Sequence, residues 1–168
     1  MRFTIFSDSH GSVSNMREAL RRNQGTKLDG IFFLGDGLKN AVSLAKEVGL
    51  PLYAVAGNCD TGVDLADFDT FEKSFEFEGI KILIVHGHKY LVKSTGNIVN
   101  NHSRSVGADL LLYGHTHRRT DLYLPAEDGK KPLRIFNPGS IALPTDGVNS
   151  FGILEITNGN IYLSHGEI

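Results

Sequence analysis

Apolar residues in this chain gather in five short runs before residue 115, and each run ends on a polar group able to hold a metal ion. Phe3-Thr4-Ile5-Phe6 leads to Asp8 and His10, and Ile31-Phe32-Phe33-Leu34 to Asp36. Leu52-Tyr53-Ala54-Val55 leads to Asn58, Ile80 to Val85 to His86, and Leu110 to Tyr113 to His115 and His117. Short apolar runs with turn residues on both sides read as buried strands. Between the first two, Val13, Met16 and Leu20 recur at helical spacing after Ser12 or Ser14 as cap, with Gly25 as the stop. Between the second and third, Leu38, Ala41, Val42, Ala45 and Val48 mark another amphipathic helix, closed by Gly49 and Pro51. Strands separated by such helices predict βαβ units and parallel pairing.

The pattern changes after Asn58. Thr61 to Asp69 reads as a polar loop rich in Asp, and Phe71 to Phe77 joins Ile80 to Val85 through Glu78-Gly79 as a hairpin. Val92 to Val106 predicts a helix weakened by Ser94, Thr95 and Gly96. The last third predicts strands at Asp121–Leu124, Leu133–Phe136, Phe151–Ile156 and Ile161–Ser164, the final pair joined by Asn158-Gly159. A parallel first half and a β-rich second half imply two sheets face to face with helices outside. No repeat, low-complexity segment or dividing linker is visible, so the 168 residues read as one domain.

Composition narrows the picture only in part. Hydrophobic residues make up 40% and charged residues 21%, as in an ordinary globular protein. The net charge of −2 and the lack of a Lys/Arg run argue against an extended nucleic-acid footprint. Cys59 is the single cysteine, which fits a reducing compartment. The first strand starts beside Met1, predicting no signal peptide, and no apolar run approaches the roughly 18 residues that span a bilayer. The expected location is the cytoplasm, without membrane contact.

Ligands of open α/β sheets bind beyond the carboxyl ends of the strands. Asp8 and His10 are two residues apart, as are His115 and His117, so extended backbone would aim each pair to one side. Glycine precedes both Asp36 and Asn58, where a tight turn leaves the sheet. Taken singly, Asp8 or Asp36 reads as a helix cap, Asn58 as a turn residue and His86 as a loop histidine. Taken together, seven carboxylate, amide and imidazole groups predict two divalent cations held by mixed O/N donors. No Gly-x-Ser-x-Gly elbow or P-loop offers a competing chemistry.

The ordered motifs Asp8-Ser9-His10, Gly35-Asp36, Gly57-Asn58-Cys59-Asp60, His86-Gly87-His88 and Gly114-His115-Thr116-His117 resemble those of the calcineurin-like metallophosphoesterases. Within them the chain is similar to the small, single-domain YfcE-like phosphodiesterases, of which Asn137-Pro138-Gly139-Ser140 is also typical. The resemblance spans Asp8 to about Ser140. It implies a four-layer αββα sandwich of two mixed sheets, one metallophosphoesterase domain over 1–168, and hydrolysis of phosphodiesters by in-line attack of a metal-bridging hydroxide. It implies that Asp8, His10, Asp36 and His117 bind one ion and Asp36, Asn58, His86 and His115 the other, with Asp36 bridging. Mn is the first choice, with Ni, Fe, Zn or Mg admitted.

The resemblance makes His88 a group behind the ligands or facing substrate, and leaves His102 and His165 outside every motif, as surface residues. Asp60 is either an orienter of a neighbouring histidine or a turn carboxylate. Many relatives carry histidine where this chain has Cys59; the substitution recurs in the YfcE-like subgroup and weakens general-acid catalysis. Cys59 taken alone reads as a small packing residue. The expected partner is a small phosphodiester. Exposed strand edges in the C-terminal third allow a homo-oligomer. A non-catalytic scaffold of the same fold and a nuclease are the alternatives. Intact ligands speak against the first, and the near-neutral charge against the second.

Overall fold

The computed structural model describes residues 1–23, 25–60, 70–127 and 129–168. The predicted loop Thr61 to Asp69 lies outside them. Two five-stranded mixed sheets face each other. One contains β1 (Arg2–Phe6), β2 (Gly30–Phe33) and β3 (Leu52–Ala54), and the other β4 (Glu72–Phe77), β5 (Ile80–Val85), β6 (Leu110–Tyr113), β7 (Arg119–Leu124) and β8 (Leu133–Pro138). The last two strands, β9 (Ser150–Thr157) and β10 (Asn160–Glu167), return to the first sheet, giving the orders β10-β9-β1-β2-β3 and β4-β5-β6-β8-β7. β1, β2 and β3 are parallel, as are β5, β6 and β8; β9 runs antiparallel to β1 with Phe3 opposite Leu154.

Strand alternation sorts the apolar side chains into three cores. Phe3, Ile5, Phe32 and Leu34 meet Ile82, Ile84, Leu110 and Leu112 between the sheets. Their neighbours on the opposite faces, Phe6, Ile31 and Phe33, pack under α1 (Val13–Arg22) and α2 (Leu38–Val48). Leu83, Val85 and Leu111 pack under α3 (Asn97–Ser105). The layers are therefore αββα. Each fully buried Phe contributes about 1.5–3 kcal/mol, and the tilted rings of Phe3 and Phe32 meet at 5.1 Å at the centre.

Several boundaries moved. The helix expected from Val92 begins at Asn97, because Ser94, Thr95 and Gly96 occupy a turn before it. In α2, Leu44 is buried while Val48 is exposed, so the buried face is Leu38, Ala41, Leu44 and Ala45. Glu78-Gly79 and Asn158-Gly159 both adopt positive φ at both residues, the geometry of tight hairpin turns. Among the described residues no helix is long and apolar enough to cross a membrane.

Candidate metal centre

The predicted ligands come from two sheets rather than one edge. Asp8, His10, Asp36 and Asn58 follow β1, β2 and β3; His86, His115 and His117 follow β5 and β6 of the facing sheet. The centre forms at the seam where the two carboxyl edges meet.

Strand alternation does not aim the pairs. Asp8, His10, Asp36, His115 and His117 lie past the strand ends with φ of 53°, 41°, 61°, 66° and 56°. Extended backbone would have carried each pair along its strand and away from the seam. The left-handed residues turn the chain back sharply, at a cost of order 1–3 kcal/mol each that the surroundings must offset. Five of the eight non-glycine residues with positive φ among the described residues are predicted ligands, so strain concentrates at this site.

Two groups of side chains converge. The ligand atoms of Asp8, His10 and His117 all lie within 4.8 Å of one another, and so do those of Asp36, His86 and His115. Asp36 Oδ2 lies 3.6 Å from His86 Nε2 and 3.9 Å from His10 Nε2, so this buried carboxylate faces both groups. Asn58 Oδ1 approaches His86 Nε2 at 3.1 Å. Gly57 leaves the space Asp36 occupies: a Cβ there would sit 2.1 Å from Asp36 Oδ1.

Backbone carbonyls orient two of the rings. His86 Nδ1 lies 2.6 Å from the Leu34 carbonyl and His117 Nδ1 2.6 Å from that of Leu143. Donation from Nδ1 leaves each Nε2 with a lone pair directed at the centre. Asp8 is fully buried, and its Oδ1 lies 3.1 Å from His117 Nε2 without the alignment of a hydrogen bond. A buried carboxylate oxygen with no donor among the described residues, beside imidazole nitrogens, is suited to a cation. The donor set thus fits borderline to hard divalent ions.

The same surroundings shift the titrating groups. Burial opposes ionisation of Asp8, but contact with His117, the field of His86 and the Ser7 hydroxyl together hold its pKa below the ordinary value. Burial pushes His115 down to about 4, and the adjacent Asp8 carboxylate raises His117.

The remaining predicted groups fall into distinct places. Asp60 accepts four backbone N–H groups, from Asp36 (2.8 Å), Gly37 (2.8 Å), Leu38 (2.9 Å) and Gly57 (2.9 Å). It caps α2 and orients no histidine. Cys59 is exposed, which overturns its reading as a packing residue. Its Sγ belongs to a further convergent group with His10 and Asp36. Partial burial of the sulfur, then the Asp36 carboxylate, raise the thiol to about 11. His88 packs at 5.3 Å from the His86 ring, with a buried Nδ1 that has no hydrogen-bond partner among the described residues. Burial lowers its pKa.

His165 is not a free surface residue. Its ring stacks on Phe136 at 4.4 Å and its Nε2 lies 2.8 Å from the Asn137 carbonyl. His102 is half-buried, stacked on Tyr90 and 3.0 Å from Glu72 Oε2.

Sequence reasoning missed the braces behind the ligands. Ser140 Oγ donates to the Asp8 carbonyl at 2.8 Å, and Asn137 Nδ2 donates to the Gly114 carbonyl and Thr116 Oγ1 at 3.1 Å each. The Asn137-Pro138-Gly139-Ser140 run was their signal, since Asn and Ser in a turn after a buried strand bring side-chain polar groups to nearby backbone groups.

A two-sheet sandwich with a histidine- and carboxylate-lined seam defines a metallohydrolase of the αββα class. The model of the calcineurin-like phosphoesterase superfamily domain matches residues 1–159, and the chain belongs to that family. It is 30% identical to the "Probable metallophosphoesterase YsnB" of Bacillus subtilis over 94% of this chain and 86% of that protein. It is 28% identical to the phosphodiesterase YfcE of Escherichia coli K12, covering 92% and 88%. The structure of Vps29 from Entamoeba histolytica complexed with Zn²⁺ matches with a TM-score of 0.74 and 20% identity, covering 99% of each chain. That last likeness concerns the fold alone.

Proposed function

We propose that this chain is a metal-dependent phosphodiesterase with two divalent cations, one on either side of Asp36. The observation that carries the reading is the position of the Asp36 carboxylate, 3.9 Å from His10 and 3.6 Å from His86. Asp8, His10 and His117 complete one ligand set; Asn58, His86 and His115 complete the other. Family membership and the similarity to YsnB and YfcE support the assignment to phosphoester hydrolysis. Bound cations supply Lewis-acid polarisation of the phosphoryl oxygens and an activated water for in-line displacement. Mn is our first choice among ions that accept such donors.

The chain's own groups hold this arrangement before substrate arrives. Leu34 and Leu143 carbonyls lock two imidazoles, Asp60 locks the Asp36 and Asn58 loops, and Ser140 locks the Asp8 loop. Preorganisation of this kind is what makes electrostatic stabilisation effective. His88, beside the His86 ring on the β5 side, is the further group we assign to face substrate. Cys59 stands where a cationic donor would otherwise offset the second charge of a monoester, so the site favours diesters.

The test is metal-stripped protein reloaded with Mn, Ni, Mg or Zn and assayed on an aryl diester and the matching aryl monoester. Activity is expected only after reloading, with the diester turned over faster. Efficient monoesterase activity with little diesterase activity overturns the reading.

A further inference from the structure

A cavity of about 460 Å³ opens between α3 and β7, walled by Val99, Tyr113, Leu122 and Ile135. Its volume is that of a small-molecule site. No metal ligand lines it, but Tyr113 and Arg118 do, and they bracket the Gly114-His115-Thr116-His117 turn that carries two of the ligands. Val92, another wall residue, packs beside Gly87, the residue after His86.

The charge of this cavity is unbalanced. Three charged residues line it. Arg119 is bound to Asp146 and Glu167, and Asp121 to Arg134. Arg118 is exposed and has no side-chain hydrogen bond or ion pair among the described residues. The other seven arginines of the chain all donate to a carboxylate or a carbonyl. Lys93 is also exposed next to Val92, and its charge is felt at both His115 and His117. A cavity walled by both apolar and polar residues, one residue along the chain from His117 and with a guanidinium unpaired among the described residues, matches an organic group that carries its own anion.

We propose that this cavity is the subsite for the alcohol portion of the phosphodiester, a group of nucleoside size bearing a second phosphate that Arg118 contacts. Arg118 is then a specificity residue, with Asn100 and Thr120 as further polar groups of the wall. The proposal rests on the phosphodiesterase reading and names its substrate class.

Two measurements separate the proposal from that reading. The first compares the p-nitrophenyl ester of thymidine 5′-phosphate with its 3′-phosphorylated form, in wild type and Arg118→Gln, at equal metal content. Wild type is expected to prefer the 3′-phosphorylated ester, and the ratio of the two kcat/KM values should fall about tenfold in the variant. An unchanged ratio overturns the proposal. The second is calorimetric binding of thymidine 3′,5′-bisphosphate, which needs no turnover. Affinity should fall about tenfold in Arg118→Gln, and raising salt should weaken binding more steeply in wild type than in the variant. If no ester is hydrolysed with any metal but this binding difference holds, the phosphodiesterase reading fails while the subsite stands. Equal affinity in both proteins removes the subsite.

Discussion

Asp60 fastens the backbone of Asp36 to that of Gly57: one carboxylate oxygen, Oδ2, accepts from Asp36 N at 2.8 Å and from Gly57 N at 2.9 Å. The other oxygen caps α2 through Gly37 and Leu38. Two ligand loops and one helix start thus share one side chain. In Asp60→Asn, a side-chain NH₂ would face at least one pair of N–H donors. The expected cost is about 1–3 kcal/mol of stability, from the lost cap and the unsatisfied amides. Metal affinity should also fall, by about 10–100-fold. Thermal melts of metal-free and metal-loaded protein check both parts. A variant that melts like wild type in both states contradicts the structural role.

The Gly57 position makes a second prediction. A methyl group there would approach Asp36 Oδ1 to 2.1 Å and Asp36 N to 2.4 Å, and neither atom has room to retreat while Asp60 holds the loop. Gly57→Ala is therefore expected to reproduce Asp36→Ala, with loss of both ions in elemental analysis. Asn58→Ala should lose mainly one. Retention of two ions per chain in Asp36→Ala would sink the bridging assignment.

His115 and His117 should titrate in opposite directions in the metal-free protein. Burial, above all, lowers His115 to about 4, whereas the adjacent Asp8 carboxylate raises His117 above its usual 6.5. The signs follow by linkage. Below about 6.5 the unfolded chain takes a proton that folded His115 refuses, so that residue lowers stability progressively as pH falls from 6.5 to about 4. His117 gains stability below its unfolded pKa and loses it as pH rises through its raised folded value. Two-dimensional NMR of the imidazole resonances reads both. Two titrations near the same midpoint would contradict the described geometry.

Much of this centre was legible because each ligand follows an apolar run, and apolar runs reveal strands without knowledge of tertiary structure. Asp36 and His86 are examples: residue type, a preceding strand and a neighbouring glycine all agree. What was not legible depends on contacts between distant segments. Nothing local pairs β9 with β1, yet Phe3 lies opposite Leu154. Nothing in the Asp8-Ser9-His10 spacing reveals left-handed backbone, because that conformation is imposed by the seam between the sheets. Asp60 reads from the sequence equally as an orienter of a histidine or as a turn carboxylate, and only the fold brings the start of α2 to it. His165 was readable in principle: it continues the half-buried alternation of Ile161 and Leu163 along β10, between exposed Tyr162 and Ser164. Weighing it by motif alone hid that periodicity.

The last prediction concerns Cys59 and the leaving group. An aryl oxide departs without a proton, whereas an alkoxide needs one, and a positioned donor is typically worth about 10²–10⁴-fold. In the metal-free protein the thiol keeps its proton up to about 11, mainly through burial and the Asp36 carboxylate. Bound cations reverse that field and favour the thiolate, which cannot donate. Because Cys59 is exposed, its removal should leave no core cavity. Cys59→Ala is therefore expected to cost activated aryl diesters less than about tenfold. Cys59→His should help poor leaving groups more than good ones, provided metal content is unchanged. A rate series across leaving-group pKa, in wild type and both variants, measures the slopes directly. Selective loss of alkyl-ester hydrolysis in Cys59→Ala would make the thiol the proton donor and reverse the argument.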